Sequence, residues 1–102
     1  MSLKKQFLKS KSACKVTFTV NADLIEGAKE VAVLGEFNNW DPSEDTMRKL
    51  KDGSFTKTIE LEVGQEYQFR YLVDGKLWLN EKEADKHTPS GVAAEENSVV
   101  AL

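Results

Sequence analysis

The sequence predicts an all-β protein: an antiparallel β-sandwich of about seven short strands. Three observations carry this. Apolar and polar residues alternate with period two along most of the chain, most cleanly in Lys15-Val16-Thr17-Phe18-Thr19-Val20. Turn chemistry recurs between these segments, at Asn38 to Pro42, Asp52-Gly53, Val63-Gly64 and Asp74-Gly75. No segment places apolar residues convincingly at helical spacing. In a chain of 102 residues, this pattern matches an immunoglobulin-like architecture without its disulfide-and-tryptophan core.

The strands follow in order. Lys15 to Val20 turns Val16, Phe18 and Val20 inward. Lys29 to Phe37 turns Val31, Val33 and Phe37 inward, with Gly35 admitting a close neighbour. Met47 to Leu50 is short and weak. The Asp52-Gly53 turn leads into Ser54 to Leu61, where Phe55, Ile59 and Leu61 share a face with Lys57. That lysine either snorkels at the sheet edge or marks a bulge. Tyr67 to Val73 is the strongest strand, with Tyr67, Phe69, Tyr71 and Val73 on one side and Gln68, Arg70 and Leu72 on the other. Lys76 to Asn80 returns from it, Glu81 to Gly91 reads as a solvated loop, and Asn97 to Leu102 is the last strand.

Composition narrows the function. Seventeen acidic and fourteen basic residues give a net charge of -3, which is no footprint for nucleic acid. No apolar run is long enough to span a membrane. Residues 1–12 read as a basic leader, with Lys4, Lys5, Lys9 and Lys11 and no apolar stretch of a secretory signal. Residues 13–102 then form a single domain. The one cysteine, Cys14, fits a reducing cytoplasm and reads as a small, partly buried thiol. One histidine and one cysteine leave few parts for nucleophilic catalysis, and the acids do not form a carboxylate pair of the glycosidase kind. No catalytic residue, metal site or cofactor is expected. His87 and the acidic stretch around Glu81, Glu83 and Asp85 lack a matching ligand set.

The Asp74-Gly75 hairpin decides where Trp78 points. A two-residue loop would put Trp78 opposite Tyr71, in the core. A three-residue loop of Val73, Asp74 and Gly75 would put Trp78 opposite Arg70, on the outer face. The longer loop is preferred because it keeps Lys76 off the apolar parity. An exposed indole beside a guanidinium is a sugar platform: the ring covers the C–H face of a pyranose. Planar side chains such as Arg70 and Asn97 then bridge hydroxyls at its rim. Each has a plainer alternative. Trp40, set among Asn, Asn, Asp and Pro, would otherwise cap the sandwich end. Arg70 would pair with an acid across the sheet, and Asn97 would satisfy loop backbone.

Val33-Leu34-Gly35-Glu36-Phe37-Asn38-Asn39-Trp40, then Tyr67-Gln68-Phe69-Arg70-Tyr71-Leu72-Val73-Asp74-Gly75 and Trp78, resemble carbohydrate-binding module family 48. That family includes the glycogen-binding domain of the AMP-activated kinase beta subunit and the early set domains at the N-terminus of isoamylases. The resemblance covers roughly Lys15 to Leu102 and is strongest to small bacterial stand-alone members. It implies an early set sandwich that binds α-1,4-glucan, with stacking tryptophans at Trp40 and Trp78, a basic contact at Arg70 and an amide contact at Asn97. Two departures stand out. The kinase subunit has one residue between its Asp-Gly turn and the tryptophan, whereas Lys76 and Leu77 both intervene here. Where it has a sugar-clasping leucine and a threonine, this chain has about Ala93 and Glu95, so the clasp is missing.

The expected function is non-catalytic binding of glycogen, starch or maltooligosaccharides. The alternative, from another class, is a protein-interaction or self-association module of the same fold, engaging a glucan-metabolising enzyme or forming a homodimer.

Overall fold

The computed structural model describes residues 2–91 and 95–102. Among the described residues there are nine strands: β1 (Ser2–Phe7), β2 (Ala13–Val20), β3 (Val31–Gly35), β4 (Arg48–Lys49), β5 (Phe55–Glu62), β6 (Glu66–Val73), β7 (Leu77–Leu79), β8 (Lys86–Pro89) and β9 (Glu96–Ala101). They form two antiparallel sheets. The first runs β1-β2-β5-β4; the second runs β3-β6-β9-β8, with β7 also paired to β6. The all-β sandwich reading therefore stands.

The alternating residues meet between the sheets. Phe18, fully buried, packs its ring against Phe37, Phe69 and Tyr71 at centroid distances of 5.7, 5.0 and 6.4 Å. Such tilted and edge-on aromatic contacts add to the burial of their area. Cys14 is free and fully buried beside them, deeper than expected. Gly35 is required by space: a Cβ there would lie 2.5 Å from the Gln68 carbonyl oxygen and 2.8 Å from Phe69 Cβ. Lys57 keeps an unbroken register opposite Phe18. It snorkels rather than bulges, and its ammonium reaches Asp45 at 3.9 Å.

Two segments differ from the sequence reading. The basic leader contributes β1, which pairs with β2 from Ser2↔Thr19 to Phe7↔Cys14. Lys5 then clasps the second sheet, donating to both Asp85 oxygens at 2.9 and 2.8 Å and to the Ala101 carbonyl at 3.0 Å. The stretch from Glu81 to Gly91 is not all loop either, since β8 lies within it, paired to β9. Glu81, expected in solvent, is fully buried. Tyr71 OH donates to Glu81 Oε1 at 2.7 Å and the Glu83 N–H to Oε2 at 3.0 Å. A buried carboxylate persists only when held in this way. Burial, then the Glu81 charge, pushes the Tyr71 hydroxyl well above its usual pKa. His87 is structural, with Nε2 2.9 Å from the Glu81 carbonyl oxygen.

Candidate functional site

The second sheet sends Tyr67, Phe69, Tyr71 and Val73 inward, so parity sends Glu66, Gln68, Arg70 and Leu72 outward. On this outer face, Trp40, Arg70, Gln68, Asn97, Glu36 and Ser90 line a shallow groove of about 310 Å³. Three of the four residues expected from sequence therefore share one concavity, and the fourth adjoins it.

Trp40 is placed by a locally costly backbone. After β3 the chain makes one turn of 3-10 helix, Glu36–Asn38, and then Asn39 (φ 56) and Trp40 (φ 58) both take the left-handed conformation. This is strained for so bulky a residue. The buried Asn38 side chain holds it there. Its Oδ1 accepts the Gly35 N–H at 3.0 Å, and its Nδ2 donates to the Val33 carbonyl at 3.0 Å and to Asp45 Oδ2 at 2.7 Å. The Trp40 N–H closes the turn on the Gly35 carbonyl at 3.0 Å. The indole ends half-buried, forming part of the groove wall.

Trp78 lies on the outer face, 42% exposed, as expected, but through a different loop. Asp74, Gly75 and Lys76 form the three-residue connection, so Leu72 rather than Arg70 faces Trp78, and Val73 faces Leu77. Val73 cannot join the loop because it pairs with Val31 and is buried. The turn starts one residue later, with Asp74 (φ 50) and Gly75 (φ 68) left-handed and the Lys76 N–H donating to the Val73 carbonyl at 3.0 Å. Asp74 Oδ1 accepts the Lys29 and Glu30 N–H groups at 2.9 Å each, anchoring the turn. Those bonds hold the Asp74 carboxyl below its usual pKa. A slip of one residue at each side of the turn shifts the pairing sum by two, which preserves the face.

Arg70 is then the diagonal neighbour of Trp78. Its guanidinium carbon sits 5.0 Å from the centroid of the indole ring, a cation–π contact. Its Nη1 donates to Glu95 Oε2 at 3.3 Å. The ion pair foreseen as the plainer role of Arg70 is thus present, and its acid is the residue standing in the clasp loop. Ala93, the other clasp position, lies outside the described residues. Asn97 contacts a side chain rather than loop backbone, its Nδ2 donating to Gln68 Oε1 at 2.9 Å.

What these contacts leave over is the site's main chemical property. Among the described residues, Arg70 Nε and Asn97 Oδ1 are buried side-chain polar atoms with no hydrogen-bond partner in the chain. One is a donor and the other an acceptor. A hydroxyl is both at once, so a rim of hydroxyls satisfies such a pair where a simple anion or cation satisfies only half of it. Leaving such groups unpaired costs roughly 1–3 kcal/mol each. Sequence reasoning missed Gln68 and Glu36, although Gln68 carried a signal in sharing the outward parity of Arg70. Among the described residues no cluster of His, Cys, Asp and Glu fits a metal ion.

Compared with known families, residues 15–99 match a family model described as the glycogen recognition site of AMP-activated protein kinase. Compared with curated proteins, the chain gives no match.

Proposed function

Because this chain belongs to the family of the glycogen recognition site of AMP-activated protein kinase, we propose that it binds α-1,4-glucan (glycogen, starch or maltooligosaccharides) on the outer face of its second sheet, without catalysing a reaction. Trp40 and Trp78 supply the stacking surfaces, and Arg70 and Asn97 bind the hydroxyls. The single observation that carries this reading is the convergence of Trp40, Arg70 and Asn97 on one groove, with the Trp78 ring against the Arg70 guanidinium. By analogy with base stacking, each ring contributes ~1–3 kcal/mol. After the cost of association, that places the dissociation constant on the order of micromolar to millimolar. Such affinity suffices on a polymer that offers many adjacent sites. A cytoplasmic setting agrees with the lone free thiol of Cys14.

Calorimetric titration with maltoheptaose tests the proposal. Saturable binding is expected, weakened about tenfold or more by Trp40→Ala and by Trp78→Ala, with β-linked oligosaccharides inert. Absence of binding at millimolar sugar would overturn it. A second reading, docking to a glucan-metabolising enzyme or to another copy of the chain, is favoured by an apolar cleft at the far end of the sheet. There Leu77 (53% exposed) and Leu24 (38% exposed) flank Ile25 and Val73. Concentration-dependent dimerisation lost in Leu77→Lys would support that reading.

A further inference from the structure

We infer that the sugar track continues beyond Asn97, over the ridge made by Gln68 and Glu36, into a second groove that serves as an additional subsite for a longer glucan. The inference rests on the glucan-binding reading of this face. The second groove, about 280 Å³, is lined by Glu36, Glu66, Gln68, Lys86, Thr88 and Val99. It shares Glu36 and Gln68 with the first, so the two are contiguous on one face.

Register gives the track its direction. Outward residues descend β6 from Arg70 through Gln68 to Glu66, while Val99 lies opposite Gln68 on β9 and Lys86 opposite Val99 on β8. From Arg70 to Glu66 the strand covers about 13 Å, longer than a single pyranose ring. The ridge between the grooves is fixed from both sides. The Gln68 N–H donates to Glu36 Oε1 at 2.8 Å, and Gln68 Oε1 accepts from Asn97 at 2.9 Å. A chain crossing it meets a rigid saddle rather than a mobile side chain.

The lining chemistry differs from that of the first groove and selects the occupant. Among the described residues none that lines it is aromatic, so the second groove offers little stacking. Thr88 and the Gln68 amide offer donors and acceptors to hydroxyls, and Val99 supplies an apolar floor. Lys86 is engaged by Glu66 at 2.9 Å, and Glu36 leaves the local charge negative, which disfavours a phosphate or carboxylate ligand. A neutral polyol held edge-on by hydrogen bonds fits this surface, and an extension of the same glucan is such a polyol.

Calorimetric titration of the whole protein with maltotriose and maltoheptaose, repeated on the Lys86→Ala/Thr88→Val double variant, tests the inference. In the unaltered protein the longer sugar is expected to bind about tenfold more tightly. In the double variant that gain should shrink at least about threefold, with maltotriose affinity unchanged. The statistical advantage of a longer ligand is common to both proteins and cancels in the comparison. An equal gain in both proteins, or no gain in the unaltered one, would overturn the second subsite while leaving the first intact. Failure of both sugars to bind either protein would instead overturn the glucan reading itself.

Discussion

On the outer face of the first sheet, cross-strand partners close on one another. Thr17 meets Thr58 at 2.9 Å and Thr19 meets Thr56 at 3.4 Å, while Lys11, from the connection between β1 and β2, pairs with Glu60 at 3.1 Å. On the outer face of the second sheet, Arg70 Nε and Asn97 Oδ1 stay unpartnered, Trp78 stands exposed, and Trp40 is held in left-handed backbone. Both faces are built on the same alternation and share one core. A face whose polar groups satisfy each other gains stability and offers a ligand little; the other face forgoes some of that stability and keeps an indole and a groove open.

The sharpest way to break this contrast is to disturb the frame on which both faces depend. Gly35→Ala drives a Cβ into the Gln68 carbonyl and Phe69 Cβ, neither of which can give way cheaply. A stability loss of about 1–3 kcal/mol is expected in denaturant unfolding; an unchanged midpoint would contradict the packing described. Asn97→Ala should divide the effects the other way, with glucan affinity falling about tenfold while stability changes by less than about 1 kcal/mol. The latter change is small because a lost bond to Gln68 is offset by removal of an unpartnered oxygen.

Asp85→Asn probes the clasp that ties β1 to the second sheet. Burial alone would raise the Asp85 pKa, but the Ala101 N–H and the Lys5 ammonium together hold it below the ordinary 3.8. The stabilisation is therefore fully present above that ordinary value and is lost as pH falls through the lower folded one. At neutral pH the variant should be less stable by about 1 kcal/mol. The gap to the unaltered protein should close below about pH 4. The smallest effect is expected from Thr58→Val on the closed face, roughly 0.2–1 kcal/mol of stability with sugar binding unaltered.

Period two revealed the strands with buried faces, because burial writes itself into alternation. It could not reveal β8, whose Lys86-His87-Thr88-Pro89 has no apolar residue and exists as an edge strand paired to β9. Nor did it reveal β1, where Leu3 is the one aliphatic side chain packed on the core. Parity placed Trp78 outward correctly, whereas the turn itself depended on Asp74 reaching the Lys29 and Glu30 amides, a contact about 45 residues distant in sequence. Burial of Glu81 was illegible for a similar reason: its partner Tyr71 lies on another strand, and a carboxylate gives no local sign that it will be enclosed. The groove residues were legible singly, but their convergence required the left-handed turn at Trp40.

The chain's core is filled by phenylalanine, tyrosine and aliphatic side chains, and its two tryptophans both stand on or beside the groove. Light of a wavelength that excites only indole therefore samples one side of the molecule, with no interior chromophore to dilute the signal. The protein carries its own optical reporter, aimed at the face proposed to bind glucan and silent about the opposite sheet.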